Sequence, residues 1–270
     1  MEQAPIRVAV VGASGRMGQE ILRALGSDPG FRVVAAISRS RVGENARAVA
    51  GPKAPDLTFS NKLGASLDTS PADVVVDLSH HSCAATHAES AAKRGAAFVI
   101  GCTGLDANDM ASLRETCEKH SQPGLVVPNF AVGAVLMMKF AEMASRWMPD
   151  AEIIEMHHER KEDAPSGTAM LTLDLIAKAR TEEPTKKPRE TLKLAGARGA
   201  EKNGIHVHSV RMPGFLAHQQ VLFGGPGEIL TIRHDSTDRV SFMAGVKISV
   251  RSVLGRQGLT IGLDKILFGQ

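Results

Sequence analysis

The chain has 270 residues, 43% of them apolar and 23% charged, with a net charge of +3. That balance suits a globular protein with a sizeable core and excludes whole-chain disorder. The small charge, without a basic run, argues against nucleic-acid binding, and the longest apolar stretch, residues 131–141, is broken by Lys139 and falls short of the roughly 18 residues of a membrane span.

In chain order, residues 6–11 form a near-continuous β-branched run, the pattern of a strand buried on both faces. Residues 12–18 are glycine-rich, and a helix follows with Ile21, Leu22 and Leu25 on one side. Further strands are predicted at 31–37, 74–78, 98–100 and 125–127, with helices at 84–94 and 108–120. Strands alternating with helices predict an α/β fold with a parallel, doubly wound sheet. After about residue 129 the pattern changes. A longer helix at 132–147 leads to a strand at 152–156 and a helix at 166–180. Residues 181–204 are rich in charge, Pro and Gly and read as a surface loop. Strands at 206–211, 219–223 and 229–233 follow, the last two flanking Gly224-Gly225-Pro226-Gly227, a hairpin signal. Consecutive strands without helices predict a second domain of α+β type, and residues 241–270 return to helical and short-strand patterns.

Residues 1–5 carry neither a basic region nor an apolar segment, so no secretory leader is expected. Cys83, Cys102 and Cys117 are odd in number and lack metal-ligand spacing, which fits free thiols in a reducing cytoplasm.

Two segments carry chemistry. Gly12-Ala13-Ser14-Gly15-Arg16-Met17-Gly18 lies between the first strand and the first helix. Its G-x-x-G-x-x-G spacing allows tight turning, close backbone approach and close helix packing, and the helix start would hold a pyrophosphate. At the end of the second strand, Ser38-Arg39-Ser40-Arg41 contains no acid to grip a free ribose 2′-hydroxyl, so the run leans toward NADPH. The second segment runs from Glu152 to Ala169, EIIEMHHERKEDAPSGTA. A strand ends in His157 and His158, a charged loop carries Lys161, and Pro165-Ser166-Gly167-Thr168 opens a helix whose first N–H groups form a carboxylate-sized anion site. An imidazole pair, an ammonium and an anion cradle in one loop suit acid-assisted chemistry on a small carboxylate-bearing substrate. A zinc site on the two histidines with Asp163 or Glu159 is the weaker reading, because adjacent residues at a strand end point to opposite sides.

The second segment matches E-[IV]-x-E-x-H-x-x-x-K-x-D-x-P-S-G-T-A at every fixed position, and the sequence thereby resembles the 4-hydroxy-tetrahydrodipicolinate reductase (dihydrodipicolinate reductase) family. GASGRMG at 12–18, Gly101-Cys102-Thr103-Gly104, Asn129-Phe130 and RVSFMAG at 239–245 extend the resemblance along nearly the whole chain. It implies an N-terminal Rossmann-like parallel sheet at 1–130, completed by 240–270, with an inserted α+β domain at 131–239 for substrate binding and tetramerisation. It further implies NADPH as cofactor, with NADH also admitted, a small dicarboxylate substrate, a cytoplasmic homotetramer and no metal. The reaction would be the reductive step of diaminopimelate and lysine biosynthesis, hydride going to C4 of a six-membered ring as water leaves. By motif position His157 and Lys161 would be catalytic, and His158, Ser166, Gly167 and Thr168 would hold substrate carboxylates. Gly12, Ala13, Ser14, Gly15, Arg16, Met17, Ser38, Arg39, Gly101, Cys102, Thr103, Val127, Pro128, Asn129 and Phe130 would line the cofactor. Three positions depart from the commoner pattern: Cys102 replaces a Thr, Ala131 stands where Ser is frequent, and Ser38 takes the place of an acid found in NADH-accepting members.

Overall fold

The computed structural model describes residues 4–185 and 190–269, which fall into two compact units. The first comprises the described residues up to Phe130 and those from Phe242 onward. Its elements are β1 (Ile6–Val11), α1 (Arg16–Gly26), β2 (Phe31–Ile37), α2 (Ala46–Ala50), α3 (Leu63–Thr69), β3 (Val74–Asp77), α4 (His81–Ala92), β4 (Ala97–Ile100), α5 (Ala107–His120) and β5 (Gly124–Val126). The second unit, Ala131–Ser241, holds α6 (Val132–Ala144), β6 (Asp150–His157), α7 (Gly167–Ala179), β7 (Ala200–Lys202), β8 (Ile205–Arg211), β9 (Ala217–Gly225) and β10 (Glu228–Ser236). The chain then returns to the first unit with α8 (Met243–Val253), β11 (Leu259–Ile261) and α9 (Asp264–Leu267).

In the first unit six parallel strands run in the order β11-β5-β4-β3-β1-β2. Val8, Val10, Val74, Val76, Phe98, Val99 and Ile100 have no exposed surface, as expected where helices cover both faces of a parallel sheet. Strand order reverses at β1, which has β2 on one side and β3 on the other, so the C-terminal ends of β1 and β3 flank the switch point where such sheets bind ligands. The tail belongs here because α8 packs against the end of β5: a Cβ at Gly245 would sit 1.9 Å from the Phe130 carbonyl oxygen.

The second sheet is mixed, with order β10-β9-β6-β8-β7. β6 and β8 are parallel, which requires the long crossover through α7. α6 and α7 cover one face, where Ala141, Ala169, Leu173 and Ile176 pack on Ile153, Val207, Val221 and Phe223. On the opposite pleat Glu152, Ile154, Met156, Gln220 and Leu222 stay half-exposed.

Two sequence expectations shift. Residues 181–204, expected to be a loop throughout, include β7, an edge strand antiparallel to β8; residues 186–189 lie outside those described. All three β7 residues are exposed, so no apolar alternation marks the strand. The β9–β10 hairpin is tighter than its glycine run implies. The ladder continues through Gly224 and Gly225, leaving Pro226-Gly227 as a two-residue turn with Gly227 at φ +79°.

Candidate active site

In the first unit the expected cofactor segments all emerge from C-terminal strand ends. Gly12 has φ +75°, and a Cβ there would lie 2.9 Å from the Leu78 carbonyl. A Cβ at Gly18 would lie 2.3 Å from the Gly12 oxygen, so α1 can approach β1 only without one. Gly15 is the N-cap of α1, and no side chain caps this helix. The Arg16 and Met17 N–H groups, at the positive end of the helix dipole, find no acceptor among the described residues. This cradle fits a pyrophosphate. Ala13 is buried and donates its N–H to the Ile37 oxygen at 2.9 Å.

Ser38 is buried, and its hydroxyl is 2.6 Å from Ser14 Oγ and accepts the Arg41 N–H at 3.3 Å. It therefore ties the end of β2 to the phosphate loop. Arg39 is exposed and has no ion pair among the described residues, whereas Arg41 reaches Glu44 at 2.9 Å. After β4, Gly101 packs so closely that a Cβ would lie 2.4 Å from the Phe130 ring and 2.7 Å from Leu78 Cδ2. Cys102 sits in the apolar cluster with Ile100 and Leu113, and burial first, then nearby Asp77, pushes its thiol up to about 11. That side chain belongs to the core, so Cys102 offers its backbone to the strand ends. Thr103 and Pro128 are exposed, Asn129 is half-buried, and Val127 and Phe130 are buried.

The second unit assembles the other segment. Alternation along β6 puts Glu155 and His157 on one face, and parallel pairing sets Arg211 directly opposite His157. Glu155 has no exposed surface. His157 Nδ1 lies 2.5 Å from its Oε2, Arg211 donates to both oxygens at 2.7 and 2.8 Å, and the Ser166 N–H donates at 3.1 Å. Burial alone would raise the Glu155 pKa, but hydrogen bonds from His157, Arg211 and Ser209 outweigh it and lower it to about 2. An ionised carboxylate only accepts, so His157 carries its hydrogen on Nδ1 and keeps Nε2 for other work.

Arg211 extends the network by donating to the Asp163 carbonyl oxygen at 2.7 Å. Lys161 Nζ in turn donates to Asp163 Oδ1 at 2.6 Å and holds that carboxyl below its ordinary value. His157 and Lys161 are thus joined through Glu155, Arg211 and Asp163. Ser166, buried, caps α7 by accepting the Ala169 N–H at 3.2 Å. Gly167 is exposed, with open space where a side chain would stand, and its N–H has no acceptor among the described residues. Thr168 forms the next step of the helix and accepts the Thr172 hydroxyl on its carbonyl at 2.7 Å. His158 is half-buried, and its Nδ1 is closed off without a hydrogen bond among the described residues.

The sequence alone points to no role for Glu155 or Arg211, and to Asp163 only as a ligand in the weaker zinc reading. Glu155 and Asp163 stand at fixed positions of the motif, and the i, i+2 spacing of Glu155 and His157 on one strand was a usable signal. Arg211 had none, because only the β6–β8 register brings it there.

A parallel sheet with a glycine-cradled helix start at its switch point, and an inserted α+β unit bearing a linked imidazole and ammonium, define a nicotinamide-dependent oxidoreductase of Rossmann type. Residues 6–130 match the profile of dihydrodipicolinate reductase, N-terminus, and residues 133–267 that of dihydrodipicolinate reductase, C-terminus, so the chain belongs to the dihydrodipicolinate reductase family of NAD(P)H oxidoreductases. It is 44% identical over 262 residues to the 4-hydroxy-tetrahydrodipicolinate reductase of Bacillus cytotoxicus, covering 97% of this chain and 98% of the relative. The Bacillus mycoides protein of the same name is equally similar. Among solved structures, dipicolinate-bound dihydrodipicolinate reductase from Paenisporosarcina sp. TG-14 superposes with a TM-score of 0.85 at 40% identity, covering 97% of this chain and 99% of that one. An amine dehydrogenase from Mycobacterium smegmatis, at 14% identity and a TM-score of 0.60 with 96% and 95% coverage, shares the fold alone.

Proposed function

We propose that the chain reduces 4-hydroxy-2,3,4,5-tetrahydrodipicolinate to tetrahydrodipicolinate, with loss of water, in diaminopimelate and lysine biosynthesis. The observation that carries this is the network joining His157 to Lys161 through Glu155, Arg211 and Asp163, beside the open N–H of Gly167. A bound nicotinamide supplies a hydride to C4 of the ring. Water leaves by elimination, the hydroxyl from C4 and the proton from the neighbouring carbon, and hydride addition to the conjugated imine so formed leaves an electron pair on the ring that a proton must quench at the neighbouring carbon. Lys161 is the assigned donor, its ammonium oriented by Asp163. His157, fixed in one tautomer by Glu155, faces the ring with Nε2 and steadies the ring-nitrogen side. The half-buried His158, the Gly167 N–H and Thr168 take the two carboxylates.

NADPH is the proposed cofactor, with NADH as the poorer substitute. The lack of an acid after β2 and the unpaired, exposed Arg39 support it. The half-exposed apolar pleat of the second sheet, with Ile154, Met156 and Leu222, supports burial against other copies in a homotetramer. No helix among the described residues is long and apolar enough to cross a membrane, and the cytoplasm is the proposed compartment.

The test follows nicotinamide oxidation with substrate made in situ from pyruvate and aspartate semialdehyde by the preceding synthase. Turnover that requires the synthase and runs faster with NADPH than NADH is expected. A protein that binds cofactor but turns over neither would refute the reading, and sedimentation as a monomer would refute the tetramer.

A further inference from the structure

A second buried carboxylate–imidazole pair stands in the first unit, outside the chemistry above. Asp77 ends β3 with no exposed surface. Its Oδ1 accepts the Ser79 N–H at 2.8 Å, and its Oδ2 lies 2.7 Å from His87 Nδ1, on α4. His87 Nδ1 is also 3.4 Å from the Ser79 hydroxyl. No guanidinium or ammonium reaches Asp77 among the described residues, so His87 is its one basic side-chain partner there.

The place of this pair gives it a consequence. The turn it fastens, Leu78-Ser79, is the wall on which the phosphate loop rests. A Cβ at Gly12 would lie 2.9 Å from the Leu78 carbonyl carbon and oxygen and 3.1 Å from the Ser79 nitrogen. The same Leu78 presses its Cδ2 against Gly101, at the end of β4. One turn therefore sets the position of both loops that flank the switch point, and a shift of a few tenths of an ångström in it must move Gly12 or Gly101. A buried carboxylate stripped of its partner does not stay put, because its unsatisfied charge seeks water or a proton.

We propose that Asp77 and His87 are positioning residues for the dinucleotide. His87 fixes the Asp77 carboxylate, Asp77 fixes the Ser79 amide, and the turn holds the Gly12 and Gly101 loops in the shape that accepts the cofactor. Neither side chain needs to touch the cofactor to do this. The inference rests on the reading that the first unit binds NADPH.

Fluorescence titration of NADPH, which needs no turnover, tests it directly. His87→Ala should weaken NADPH binding about tenfold, the factor expected from one charge-assisted hydrogen bond. The KM for NADPH should rise in step, with kcat at saturation and the affinity for dipicolinate within about twofold of wild type. His87→Asn, whose amide can still donate to Asp77, should recover most of the binding. The proposal is overturned if His87→Ala binds NADPH as wild type does while only its melting temperature falls. Equal loss of NADPH and dipicolinate affinity would overturn it too, by showing general damage. Should His87→Ala not fold, His87→Phe keeps the ring volume without the donor and is read in the same way. Failure of both to fold would assign the imidazole to the stability of the whole unit and reject the proposal. Absence of NADPH binding by the wild-type protein would instead reject the cofactor reading on which the inference stands.

Discussion

Asp77 in the first unit and Glu155 in the second occupy matching posts. Each lies at or near the end of a strand, has no exposed surface, meets a histidine Nδ1 at 2.7 or 2.5 Å, and accepts a backbone N–H just ahead of a helix, Ser79 before α4 and Ser166 before α7. They differ in their third partner. Arg211 grips both oxygens of Glu155, whereas Asp77 has no such cation among the described residues. Hydrogen bonds from His157, Arg211 and Ser209 together hold the Glu155 pKa at about 2, against the burial that would raise it, so the Glu155 carboxylate has a second cationic partner besides the imidazole. Asp77 has the Ser79 N–H and His87 but no guanidinium among the described residues, which fits the proposed part of a pair that holds a turn and does no chemistry. On the roles proposed above, a carboxylate and an imidazole serve reaction in one unit and posture in the other, and the arginine on Glu155 marks the difference.

The largest effect expected from breaking this contrast is on stability. Arg211→Met leaves a fully buried carboxylate without its cation and should cost about 3–5 kcal/mol in denaturant unfolding. A variant as stable as wild type would show that Arg211 is dispensable and the contrast empty. Acid unfolding probes the same pair from the other side. The folded pKa of Glu155, about 2, lies below its ordinary 4.5, so its contribution is complete above roughly pH 5 and is lost as pH falls toward 2. Glu155→Gln should therefore remove one proton from the uptake measured on unfolding between those limits, worth roughly 3 kcal/mol. An unchanged proton uptake would contradict the depressed pKa. Lys161→Ala, which spares the Glu155 pair, should lower kcat by about 10²-fold with little change in NADPH affinity. Near-wild-type turnover would remove Lys161 from the chemistry.

Legibility in the sequence followed the range of the contacts. The glycine loop at 12–18 and the run from His157 to Thr168 were readable because each works through neighbours in sequence. β1 and β2 were readable to the residue because their burial leaves a near-continuous apolar run, interrupted only by the exposed Arg7 and Arg32. Arg211 was invisible, since it joins His157 only when β6 and β8 pair in parallel across the α7 crossover. His87 was invisible for a related reason: ten residues separate it from Asp77, and only α4 folding back over β3 closes the gap. β7 escaped because an exposed edge strand needs no apolar residue. Cys102 lies in the loop after β4 with its side chain turned inward to the core, an orientation that the loop's sequence does not reveal.

The smallest expected effect isolates one hydrogen atom of the second unit. Gly167 is the first residue of α7, the position at which proline is best tolerated in a helix. Ser166 ahead of it is extended, at φ −65° and ψ 153°, the conformation that a following proline demands. No atom stands within 4 Å of where a Cβ would go, so the ring has room. Gly167→Pro should therefore keep the melting temperature within a degree or two of wild type while deleting the N–H that faces open space. If that N–H receives a substrate carboxylate, dipicolinate binding should weaken about tenfold, the worth of one hydrogen bond to a charged acceptor, and NADPH binding should not move. Equal dipicolinate affinity in the two proteins would take the anion cradle out of the helix start and leave carboxylate recognition to His158 and Thr168. A matching loss of NADPH affinity would show instead that a change at α7 is felt in the first unit, and would dissolve the separation between a unit built for chemistry and one built for posture.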